Sequence, residues 1–108
     1  MIIRVGHYRV EVRPFGPGEA AAEDKNGDYD NDTKTVRIDS DIPTEFQAEI
    51  LIHEVIHALW DFHAWPETMT EEEVCARLAK GLSGLFSANP TLHRILGAAL
   101  SGKKGIVE

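Results

Sequence analysis

Apolar and polar residues alternate over residues 2 to 12, "IIRVGHYRVEV", with the period of a half-buried strand. Gly6 and His7 divide the stretch, and Pro14, Gly16, Pro17 and Gly18 close it, which predicts one or two strands at the start of the fold. The sequence is then polar and turn-rich until Val36 and Ile38 alternate with Thr35, Arg37 and Asp39. That pattern predicts a hairpin with Tyr29 on its first strand, a turn near Asp30 to Thr33, and Lys34 to Asp39 as the second strand. From Pro43 the period changes. "IPTEFQAEILIHEVIHALWDF" places Glu45 and Glu49 early and meets no breaker before Pro66, which predicts a helix over about 43–62. Thr70 and Glu73 have capping-box spacing and open a second helix over about 70–87, with Val74, Leu78, Leu82 and Leu85 on its inner face. Asn89 and Pro90 interrupt it. Leu92, Ile95, Leu96, Ala99 and Leu100 mark a third helix over about 91–101, and the tail after Gly102 is expected to fray. Strands first and helices afterwards predict an α+β fold, a short twisted N-terminal sheet packed against helices.

The 108 residues are enough for one domain, residues 1–108, with one modest core. Apolar residues make up 43% and charged residues 27%, the balance of a globular chain, so disorder is not expected. The net charge of -7 argues against a nucleic-acid or anionic-membrane surface, either of which needs a basic patch. A single cysteine, Cys75, excludes an internal disulfide and fits a reducing compartment. With no signal-peptide pattern and no apolar run of membrane-span length, the expected location is cytoplasmic. "DKNGDYDND" superficially resembles a calcium loop but lacks the ligand register of one, and is expected to be a solvated turn.

The chemistry concentrates in "ILIHEVIHALW", residues 50 to 60. With His53 at zero on a helical wheel, His57 falls at roughly 40°, Asp61 at roughly 80° and Glu54 at roughly 100°. Apolar residues fill the rest of the circle, so the helix is expected to be buried on most sides around one polar stripe. Histidines at i and i+4 can place ring nitrogens on one tetrahedral cation, and Glu54 between them can reach a water held by that cation. Metal-free core histidines would be costly there. Zinc is the expected ion, because neutral imidazoles with a carboxylate and one open position suit it, whereas calcium and magnesium take oxygen shells. Glu54 is then the general base, passing a proton from water to the leaving amine of a peptide. The alternative is a non-enzymatic zinc-binding regulatory or interaction module, but a purely structural site needs no carboxylate between its histidines and usually closes with cysteine.

With His53-Glu54-Val55-Ile56-His57 as its core, the chain resembles a minimal zincin of the gluzincin type. It is similar to small phage and prophage metallopeptidases and distantly to ImmA/IrrE-like endopeptidases. The resemblance covers roughly residues 27 to 90: "GDYDNDTKTVRID" as the sheet hairpin, "LIHEVIHAL" as the metal helix, and "EEEVCARLAKGL" as a helix donating a further ligand. It implies a zinc metallopeptidase acting on a protein or peptide, and proteolysis of a phage or host regulator is one role it suggests. Glu72 is the expected third ligand, since it points to the edge of small residues Cys75 and Ala79 and has the E-x-x-small spacing of those relatives. Ala76 stands where they often carry Asn or Asp, which keeps Glu71 as the runner-up. His63 has the spacing of the third histidine in H-E-x-x-H-x-x-G-x-x-H, but Trp60 replaces the glycine, where a left-handed turn would cost about 1–2 kcal/mol. Asp61 is left between orienting a histidine and being a solvated helix-end carboxylate. Cys75 is expected to be buried and to let the helices pack closely. His7 and His93 are expected on the surface, Trp60 and Trp65 in packing, and Tyr29 in packing or lining the cleft.

Overall fold

The alternating N-terminal runs become strands in the computed structural model, which describes residues 1–108. β1 (Ile2–Val5) and β2 (Tyr8–Pro14) form a hairpin, and β3 (Gly27–Asp30) and β4 (Thr35–Ile38) form a second. β2 and β4 pair in parallel, with Val12 opposite Val36, so the sheet order is β1-β2-β4-β3 and β3 is an edge strand. Ile3, Val5, Val10, Val12, Val36 and Ile38 are all buried, as a sheet covered on one face requires.

Three helices follow as the apolar spacing predicts: α2 (Thr44–His63), α3 (Glu71–Ala88) and α4 (Leu92–Leu100), preceded by a short α1 (Glu19–Glu23) between the hairpins. α2 stops where Ala64 turns left-handed, φ 50°, and its N–H donates to the Asp61 carbonyl. α3 begins at Thr70, whose hydroxyl accepts from the Glu73 N–H at 3.2 Å. The polar stretch that reads as turns therefore contains one unexpected helix, α1. Five residues do not hold a helix on their own. Arg37 of β4 ties α1 to the sheet, reaching Glu19 and Glu23 of α1 while stacking over the Phe15 ring at 4.4 Å.

The tail corrects a second expectation. It does not fray after Gly102: Val107 is buried, and the N–H groups of Ile106 and Val107 donate to Gln47 Oε1 at 2.8 and 3.1 Å. Gln47 is itself buried on α2, and its amide donates to the Ile42 carbonyl. Gln47→Leu keeps the volume and leaves those donors unsatisfied, so stability is expected to fall by about 1–3 kcal/mol. Urea unfolding checks this, and an unchanged midpoint would detach the tail from Gln47. Cys75 also departs from expectation, being exposed. α3 packs on the core from Leu78 onward, through Gly81, Leu82 and Leu85, and Cys75 precedes that contact.

One glycine decides how the sheet meets α2. A side chain at Gly27 would overlap Ile50, so only glycine lets the edge strand β3 lie directly against the helix that carries the histidines.

Candidate metal and catalytic site

The core-facing positions of α2 are Gln47, Ala48, Leu51, Glu54, Val55, Ala58 and Leu59, a single helical stripe. Glu54 lies on it and is 5% exposed. His53 and His57 are exposed. The expectation of histidines enclosed in an apolar helix is therefore corrected. Sheet, α3 and α4 cover one side of α2 and leave Ile52 39% exposed, because a chain this small lacks the layers to surround a central helix. The buried polar group is the glutamate, and the imidazoles stand at the lip above it.

The two rings lie with centroids 5.0 Å apart and planes at 66°. One ligand atom each from His53, Glu54 and His57 falls within 4.8 Å of the others, the sole cluster of this kind in the chain. Such a group can hold a metal ion. Two imidazoles, with a carboxylate beside them placed to reach a water on the ion, suit zinc rather than calcium or magnesium, so the residues present fit that ion.

A wide trough of about 540 Å³ opens beside the cluster. Gly27, Asp28 and Tyr29 of β3, with Asn31 of the turn, form one wall, and Glu54, His57, Trp60 and Asp61 of α2 form the other. Burial raises the Glu54 pKa, the His57 and His53 rings oppose that rise, and the Asp28 carboxylate adds to it. Asp28 itself is held below the usual carboxylate range, chiefly by its hydrogen bond from Arg37, against the opposing effect of burial. For Asp61, burial acts upward, but hydrogen bonds from Tyr29 and Lys34 outweigh it and lower the pKa. Burial and the bond to Asp61 push the Tyr29 phenol up, keeping it protonated.

Asp61 resolves into neither of its expected roles. It accepts from the Tyr29 hydroxyl at 2.8 Å and from Lys34 Nζ at 3.0 Å, fastening the β3–β4 turn to α2. Tyr29 thereby becomes a fixed part of the trough wall. Asp28 and Asn31 are trough residues that pattern reading missed. The register of the folded hairpin sets Asp28 opposite Arg37, an opposite-charge cross-strand pair. Because the folded pKa of Asp28 lies below its unfolded value of about 3.9, the pair's contribution is present above that pH and lost as pH falls through the folded value. Asp28→Asn is expected to cost about 1.5–3 kcal/mol at pH 7, with the gap from wild type closing in acid. Urea unfolding across pH tests this, and a pH-independent gap would contradict it.

The remaining sequence candidates lie apart. Glu71, Glu72 and Glu73 are exposed in the first turn of α3, outside the ligand cluster. α3 meets α2 at Gly81, where an added Cβ would sit 3.6 Å from Leu59, and Glu72 precedes that contact by about 13 Å of helix. His63 stacks on Trp65 with ring centroids 5.3 Å apart and planes at 7°. Trp65 is buried, while His7 and His93 are exposed, as expected. Comparison of the chain with protein-family models, curated protein sequences and solved structures finds no match.

Proposed function

We propose that the chain is a zinc-dependent metallopeptidase of the gluzincin type. The observation that carries this reading is Glu54, a carboxylate buried on the core face of α2 with no protein donor, opening into the trough beside two imidazoles. Packing alone does not reward such a group. His53 and His57 would hold the ion, which when bound supplies Lewis acidity that polarises a carbonyl and brings a water's pKa towards about 7. Glu54 takes the proton from the attacking water on a carboxylate oxygen and returns it to the amide nitrogen as the peptide bond breaks. The burial that raises its pKa favours the first half of that transfer, the uptake of the water's proton. The outer edge of β3 pairs with no other strand, which supports an extended peptide lying along the trough by strand addition. The likeness to ImmA/IrrE-like peptidases makes a repressor-type protein the first substrate class to test.

Glu72 is proposed as the third ligand on the strength of its spacing from the H-E-x-x-H motif, and the proposal requires the first turn of α3 to come towards the cluster. Glu72→Ala is expected to weaken zinc binding at least tenfold, with Glu71→Ala and His63→Ala close to wild type. Competition titration with a chelating dye measures it. Wild-type affinity in Glu72→Ala would remove Glu72 from the donor set.

A further inference from the structure

We propose that the trough between α2, α3 and α4 is a docking site for an amphipathic helix of a partner protein, apolar on one face and flanked by lysine or arginine. Its centre is a cavity of about 240 Å³ whose lining is wholly apolar. Leu51 and Val55 contribute from α2, Leu85 from α3 and Leu96 from α4, with Ile52 and Phe86 39% and 40% exposed. A second depression shares Ile52 and continues to Leu100, which is 52% exposed. Three of the chain's five exposed large apolar residues therefore line one continuous surface, the mark of an interaction site rather than of scattered exposure. No residue lining the two depressions belongs to the ligand cluster, so the proposal does not depend on the peptidase reading.

Charge selects the occupant. The charged side chains lining the two depressions are Glu45 and Glu49, both acidic, and no basic residue lines either one. Ile106 and Val107 are bound to Gln47, and neither lines the two depressions. A second copy meeting this face by two-fold symmetry would set the same acidic rim against itself, with a net charge of -7 on each partner. An anionic lipid surface is repelled for the same reason. A basic amphipathic helix meets both requirements, seating apolar side chains at i, i+3 and i+4 in the cavity and pairing its cationic flank with Glu45 and Glu49.

The test uses fluorescence anisotropy with three labelled 18-residue peptides: leucine and lysine with one apolar face, the same with glutamate for lysine, and the leucine-lysine composition shuffled to abolish that face. The first is expected to bind at least tenfold tighter than either of the others. Phe86→Ala, a rim residue whose loss leaves the core intact, is expected to weaken that binding at least tenfold with unchanged circular dichroism. Glu45→Lys combined with Glu49→Lys is expected to reverse the preference towards the glutamate peptide. Equal binding of the lysine and glutamate peptides, wild-type binding by Phe86→Ala, or an unreversed preference after the charge swap would each overturn the proposal. So would a wild-type dimer in sedimentation that Phe86→Ala dissolves, since it would give the face to a second copy.

Discussion

Replacing His53 and His57 together by alanine is expected to lower bound zinc from one equivalent per chain to none. Two imidazoles supply most of the neutral-donor affinity of such a site, and residues that merely support a ligand already cost 10–100-fold when lost. Both histidines are exposed, so their removal should leave the metal-free fold within about 0.5 kcal/mol of wild type. Stability then separates the metal's effect from that of the side chains. Zinc at a hundredfold excess over its dissociation constant should stabilise the wild type by about 2.7 kcal/mol and leave the double variant unmoved. Elemental analysis and thermal unfolding with and without zinc read the two effects. One equivalent of zinc retained by the double variant would show that α2 is not the metal helix.

Glu54→Gln is expected to keep the zinc and lose peptide hydrolysis by roughly 10²–10⁴-fold, the usual contribution of a positioned general base. Glutamine has the shape of glutamate but cannot take the proton. The same substitution has a signature in the metal-free protein. The folded pKa of Glu54 is raised, first by burial. Its stabilising contribution is therefore complete below the unfolded value of about 4.3 and is lost as pH rises through the folded value. Above that range the wild type holds a buried charge that the variant lacks, so Glu54→Gln should be the more stable of the two at neutral pH and lose that advantage in acid. Turnover equal to wild type would end the general-base role and leave a zinc-binding module without catalysis.

What the sequence determined by itself was local. The strand alternation of residues 2–12, the Thr70 cap, the uninterrupted helix over about 43–62 and the placement of His53 and His57 one turn apart all follow from interactions within a few residues, and each lies within a residue or two of where the pattern puts it. The sheet-first, helix-later order likewise leads to the α+β architecture. Tertiary structure decided everything that depends on which surfaces meet. The stripe on α2 is legible, but a wheel cannot say that the sheet covers the Glu54 side and leaves the imidazoles outside, because apolar residues flank both. The parallel pairing of β2 with β4 and the reach of Arg37 from β4 to α1 join a helix of five residues to the sheet. Gln47 reads as one more polar helix position until the tail, about sixty residues on, supplies the two N–H groups that explain its burial. Asp61 reads as the end of a polar stripe until the turn 27 residues earlier brings Lys34 to it. Glu72 shows the same boundary from the other side: its spacing is a property of α3, whereas its distance from the histidines depends on how far α3 overhangs the core. Side-chain period is set by the backbone's own geometry, but partners distant in sequence are chosen by the packing of whole faces, and that choice is made only when the chain folds.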